Sequence, residues 1–197
     1  MKYDSNDIQS ILKALCEPEP WKATCISALK AKIKTFYLAI NFPKCCYCQR
    51  SFNGEFKYVI DIEHILPKSK YHSHMFVLKN LNISCKRCNM LFKKDKDDFL
   101  SKDFNLTRCF DSKGYLLVHP NLDNVKEHII LKEITWNELI FKKYEVLNGS
   151  KKGTFTYNYF ALNELECDNL TELQGGNIAT PNSITALLVA MLTRNGL

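Results

Sequence analysis

Two Cys-x-x-Cys turns, Cys45/Cys48 and Cys85/Cys88, constrain this chain more than any other feature of its 197 residues. Such a turn offers two thiolates to one side, and two turns complete the tetrahedral shell that Zn(II) prefers. Four thiolates close that shell, so a zinc held there is structural rather than catalytic. The 36 residues between the pairs exceed a simple zinc ribbon, and an isolated Cys-x-x-Cys also suits redox chemistry. The intervening segment therefore has to decide between the two. Nine cysteines, an odd number, follow an acid-bearing start, MKYDSNDIQS, that has no apolar stretch of signal-peptide type. That pattern predicts a reduced, cytoplasmic protein rather than a disulfide framework. Cys16, Cys25, Cys46, Cys109 and Cys167 have no partner at ligand spacing and are expected to be buried.

Charge singles out the same segment. Lys and Arg exceed Asp and Glu by 17 to 10 over residues 1–98, whereas residues 99–197 carry 10 against 11. Residues 44–96 alone carry 11 against 4, so the excess sits where the cysteine pairs are. A concentrated positive field suits a polyanion, with a merely solvated basic face as the plainer reading. No apolar run approaches the roughly 20 residues that span a bilayer. The longest, ITALLVAML (184–192), reads as a packed helix, and no membrane association is expected.

Periodicity predicts helices over 5–15, capped by Ser5 or Asn6, and from Trp21 to Ile40. The second helix should bury Ile26, Leu29, Ile33, Phe36, Tyr37 and Ile40, leaving Lys22, Lys30, Lys32 and Lys34 toward water or a phosphate backbone. Residues 44–69 then supply a cysteine turn, an Asn53-Gly54 turn and a β-favouring run 58–62. Residues 81–85 look extended, and a helix should start near Lys86. Cysteine turn, strands, loop, cysteine turn and helix make a ββα unit. Downstream, 114–120 and 152–160 read as strands, the latter through its Thr/Tyr/Phe alternation, and 161–174 and 183–193 as helices. The expected class is α+β: an N-terminal helical segment (1–43), a zinc-stapled core (44–100) and a mixed extension (101–197) suited to docking a partner.

Within the core, Asp61-Ile62-Glu63-His64-Ile65-Leu66-Pro67 ends a strand. Alternation puts Asp61 and Glu63 on one face and His64 on the other. A carboxylate is a hard oxygen ligand for Mg(II) or Mn(II), and a neutral imidazole is a natural base near pH 7. Asn89 directly follows the last thiolate, so a zinc would fix it as a second oxygen donor. Asn80 is placed to hold the loop around His64. Each of these residues alone is more commonly a surface, turn or cap residue.

Together they resemble the HNH endonuclease family in its two-CxxC form. The shared pattern is CxxC, an acid-His pair with Pro beyond it (Glu63-His64, Pro67), Asn-Leu (Asn80-Leu81), and CxxC followed by Asn (Cys88-Asn89). The resemblance implies a ββα-metal core in which His64 activates water, Glu63 and Asn89 hold one Mg or Mn ion, and Asn80 orients the loop. It also implies contacts from Lys68, Lys70, Lys86, Arg87, Lys93 and Lys94 to nucleic acid, DNA before RNA. Two departures matter. Relatives often have Asp where Glu63 stands, and often a Lys where Phe92 stands. Asp61, His72 and His74 are the reserve ligands. The stretches EHILPKSKY (63–71), NLNISCKRCN (80–89), VHPNLDNVKEHI (118–129) and FALNELECDNL (160–170) are similar to the PtuB-type HNH proteins of bacterial anti-phage systems. That similarity implies a PtuA-type ATPase as partner, and structural roles for His119 and His128. The rival readings are a zinc module that grips nucleic acid without cutting, and an assembly subunit whose catalysis has decayed.

Overall fold

Helix α1 (Ser5–Leu15) covers the expected residues, but its cap is Asp4 rather than Ser5 or Asn6. The Asp4 carboxylate accepts the Asp7 amide at 2.9 Å, and the Asp7 carboxylate accepts the Asp4 amide at 3.0 Å. This reciprocal box satisfies two amides that the first helical turn leaves free. Lys32 of α2 (Ser27–Ile40) pairs with both carboxylates, which fixes α1 although Ile8, Leu12 and Leu15 are exposed. The expected single helix from Trp21 begins as two 3-10 turns, Pro20–Lys22 and Thr24–Ile26. Only then does α2 bury Ile33 and Tyr37, while Ile40 stays exposed. The computed structural model describes residues 1–40, 42–136 and 139–168.

Strand β1 (Ile60–His64) pairs antiparallel with β2 (Leu81–Cys85), with Asp61 opposite Ser84 and Glu63 opposite Asn82. The first cysteine turn is closed by a bridge between Lys44 and Ser51. Asn53-Gly54 forms a turn with φ +76° at Gly54, which a side-chain-bearing residue resists. It does not join the paired strands: β1 and β2 are linked by residues 65–80. The helix at Lys86 is present, but Arg87–Lys93 is π-helical. Its last bond runs from the Lys94 amide to the Asn89 carbonyl, 2.7 Å.

Beyond it, Ile65, Leu66, Phe99, Cys109, Tyr115 and Leu117 form a buried cluster with Phe155 and Tyr159 against it. Two expected strands are absent. Residues 114–120 make only the single Leu100–Tyr115 bridge. KGTFTYNYF is a helix, α3 (Lys151–Tyr159). Its alternation is overridden by Ser150, whose hydroxyl accepts the Gly153 amide at 3.0 Å, and by Thr156, whose buried hydroxyl accepts the Val118 amide at 2.8 Å and ties the helix to the core. Gly153 is required there, since a Cβ would stand 2.4 Å from the His128 carbonyl.

A second sheet has the order β3 (Ile129–Trp136), β4 (Leu139–Val146), β5 (Cys167–Asp168). In place of the expected helix from 161, a 3-10 turn Leu162–Leu165 leads into β5, while the rest of 161–174 and all of 183–193 lie outside the described residues. The chain divides into two compact units, Met1–Leu131 with Tyr144–Asn163, and Lys132–Lys143 with Glu164–Leu197. Within the second, Lys142 pairs with Glu133. Three cysteines expected inside, Cys16, Cys25 and Cys167, are exposed, while Cys46 and Cys109 are buried. Cys16 caps α1 and Cys167 lies in a two-residue strand, and among the described residues both thiols stay exposed. Among the described residues no helix is long and apolar enough to cross a membrane.

Candidate active site

The two cysteine turns meet. Cys45, Cys48, Cys85 and Cys88 are all buried, with their sulfurs within 4.8 Å of one another. Sulfurs held about 2.3 Å from a tetrahedral zinc stand roughly 3.8 Å apart, and the Cys48 and Cys85 sulfurs are 3.8 Å apart here. The Cys85 amide also points at the Cys45 sulfur, 3.3 Å away, as suits a thiolate. The four thiols can hold one zinc ion. Its surroundings are tied down by the Tyr144 hydroxyl, which donates to the Cys48 carbonyl at 2.6 Å. Arg87 donates to the Phe160 and Ala161 carbonyls at 2.8 and 2.9 Å.

Next to this knuckle, β1 lines a cleft of about 1110 Å³. Its far wall comes from the N-terminal helices, through Trp21, Lys22, Lys30 and Lys34. Lys57, Lys68, Lys86 and Lys94 complete the cationic lining, with Asp61, Glu63, His64, Asn89 and Asp95 among them. Burial and the charge of Lys68 lower the Lys30 pKa, and burial chiefly lowers that of Lys34. Lysines that repel one another around a cleft leave a place for an anion.

His64 is nearly buried. Its Nε2 lies 3.0 Å from the Met75 carbonyl. A carbonyl can only accept, so Nε2 carries the proton and Nδ1 keeps its lone pair. Trp21 meets the imidazole edge-on at 4.3 Å between centroids. Burial, then Lys68, brings the His64 pKa down to about 3, so the ring is neutral at physiological pH. The loop beyond it is clamped by Asn80: Oδ1 accepts the Leu66 amide at 2.7 Å, and Nδ2 donates to the Leu66 and His74 carbonyls at 3.0 and 3.1 Å. Tyr3 and Tyr37 add hydroxyl bonds to the Phe76 and Leu78 carbonyls.

Asp61 and Glu63 share a face of β1, yet they differ in company. Glu63 is buried against Lys93, 3.3 Å away, and accepts the Tyr47 hydroxyl at 3.1 Å. Burial pushes its pKa up, against the pull of Lys93. Asn89 does not bond Glu63: its Nδ2 donates to Asp61 at 3.0 Å. Asp61 also meets Lys86 at 3.2 Å. The pairing that forms at the cleft is thus Asp61 with Asn89.

Three expected nucleic-acid contacts are engaged elsewhere. Lys93 is buried, donating to the His64 carbonyl at 3.0 Å as well as facing Glu63. Arg87 holds the turn after α3, and Lys70 pairs with Asp97 at 2.6 Å. Lys68, Lys86 and Lys94 do line the cleft. Of the lysines off the α2 stripe, Lys30 and Lys34 reach it, whereas Lys32 binds Asp4 and Asp7. Lys57 and Trp21 carried no signal of their own; only the fold brings them in. The reserve ligands His72 and His74 do not line the cleft, and His74 faces the Cys109 sulfur at 3.2 Å. His119 is buried edge-on to Tyr115, and His128 bonds the Ser150 hydroxyl at 2.6 Å.

No family model matches the chain, and no solved structure matches it. One curated protein does. Over 137 residues the chain is 30% identical to a Septu protein PtuB from Bacillus thuringiensis, a match that takes in 70% of this chain and 43% of that protein. The chain therefore spans less than half of its relative's length.

Proposed function

We propose that the protein is a metal-dependent nuclease of the HNH type, cutting DNA in an anti-phage system beside a PtuA-type ATPase. In this reading residues 44–100 are the catalytic core, and 101–197 dock the partner. The observation that carries it is the state of His64: a neutral imidazole with Nε2 engaged by a carbonyl and a free Nδ1, set in a lysine-lined cleft. His64 takes the proton of the attacking water at Nδ1. A phosphate drawn between Lys30 and Lys68 offsets the charges that depress the His64 pKa, so substrate binding strengthens the base.

The donor set at the cleft, one carboxylate and one amide oxygen, fits a hard cation that retains water and substrate oxygens as further ligands. Asp61 and Asn89 would hold Mg or Mn there. When bound, that ion would stabilise charge on the scissile phosphate and the leaving oxygen. Glu63 has its charge matched by Lys93 and serves mainly to fix the end of β1. Asn80 keeps the His64 loop closed, and the Cys85–Cys88 turn, which would hold the zinc, fixes Asn89 in the first turn of its helix.

His64→Ala should lower cleavage by about 10²–10⁴-fold with zinc content and nucleic-acid binding retained. It should be assayed with Mg or Mn, and with the ATPase that makes the wild type active. Cutting at the wild-type rate would overturn the mechanism; salt-sensitive binding without cutting by the wild type in that complex would favour the gripping module.

A further inference from the structure

From the exposed aromatic rings that flank Lys57 beside the cleft we infer that its substrate is an unpaired strand, one base of which stacks on Tyr58. The inference rests on the nuclease reading above. Tyr58 is 79% exposed and Phe56 67% exposed, unusual for large rings on a short connection into β1. Lys57, between them, lines the cleft. Lys86 connects the ring to the candidate active site: its Nζ lies 5.7 Å from the Tyr58 ring centroid and 3.2 Å from the Asp61 carboxylate. Lys86, Asp61 and Asn89 line the cleft, and Tyr58 stands beside Lys86 just outside that lining.

A phosphate held beside Asp61 leaves its neighbouring base within reach of the Tyr58 ring. That base can use the ring only if it is free of a pairing partner, because in a duplex its faces are already stacked. Open aromatic faces beside a groove of lysines are the arrangement that binds single strands with little sequence preference. The lysines then follow the backbone and the ring takes the base. Against a duplex the same exposed rings would remain solvated and contribute nothing. DNA and RNA strands present the same base face, so this feature selects unpaired over paired nucleic acid, not one sugar over the other.

The test is binding of the full chain to fluorescent oligonucleotides of one length: single-stranded DNA, single-stranded RNA and blunt duplex DNA, at fixed moderate salt without added Mg or Mn. Wild type should prefer either single strand to the duplex. Tyr58→Ala should weaken single-strand binding by roughly 5- to 150-fold, the effect of one base on one ring, and leave duplex binding unchanged. Tyr58→Phe should retain the wild-type preference. Equal loss for strand and duplex, no loss with Tyr58→Ala, or a wild-type preference for duplex would overturn the inference, while salt-dependent binding and His64-dependent cutting would still stand. Absence of binding to any of the three probes would instead sink the nuclease reading itself.

Discussion

Asp61 and Glu63 lie two residues apart on the same face of one strand, and their surroundings make them different chemical objects. Glu63 and its partner Lys93 have side chains 1% exposed, with Tyr47 closing the third side. Asp61 is 22% exposed, its Lys86 partner 44% exposed, and Asn89 shares its carboxylate. A buried pair is costly to break, because the surviving charge is stranded. An exposed pair adds little to stability and can exchange its cation. The sealed acid thus belongs to the architecture, and the open one to whatever enters the cleft.

The largest effect should come from the knuckle that closes the sealed side. Tyr47 sits inside the first cysteine turn, so loss of the metal site removes the cover over Glu63. Cys85→Ser should lose zinc and most cooperative folding together, since metal binding and folding are coupled in small thiolate sites. Elemental analysis and thermal melts check this. Folded wild-type protein, kept reduced, that contains no zinc would break the argument at its base.

Next in size is the direct contrast. Glu63→Gln leaves Lys93 buried without its counter-charge and should cost about 3–5 kcal/mol in chemical denaturation. Adding Lys93→Met to it should recover much of that loss. Asp61→Asn should change stability by no more than about 1 kcal/mol yet raise the Mg or Mn concentration needed for cleavage. A stable Glu63→Gln protein with lost metal dependence, beside a fully active Asp61→Asn protein, would exchange the two roles.

The contrast also explains what could be read from the chain in advance. The meeting of the four cysteines, the place of His64 at the end of β1 and the Asn80 bonds to the loop beyond it were legible because each is anchored by spacing to a turn or strand end. Which of the two cleft-lining acids is open and which is sealed by a buried cation was not, because strand alternation groups Asp61 with Glu63. What separates them is Lys93, brought opposite Glu63 by the helix after the second cysteine turn. Lys93 itself read as a surface cation for the same reason: in sequence it is one of three lysines among 93–96, and only packing shows that it is buried. The strand expected at 152–160 failed through local chemistry, since the Ser150 cap and the close approach at Gly153 outweigh a Thr/Tyr/Phe alternation. That the N-terminal helices form one wall of the cleft was hidden too, because they lie some twenty residues or more upstream of β1.

The smallest effect extends the sealed-versus-open contrast to histidine. His119 is fully buried, its Nδ1 accepts the Asn121 amide at 3.1 Å, and its Nε2 has no hydrogen-bond partner among the described residues. Burial brings its pKa down from 6.5 to about 4, although Asp123 pulls the other way. The folded ring is therefore neutral where the unfolded ring takes up a proton. Its contribution to stability is complete above about pH 6.5, falls as the pH drops toward 4, and changes no further below that. At about 1.4 kcal/mol for each pH unit the fall is capped near 3 kcal/mol. His119→Asn keeps an acceptor for the Asn121 amide and removes the titration, so its stability should decline less than wild type between pH 7 and pH 4. His72→Asn, on an exposed turn, is the matched control. Urea midpoints measured across that range decide the matter: parallel wild-type and His119→Asn curves would show that the buried ring is not what makes the fold acid-sensitive.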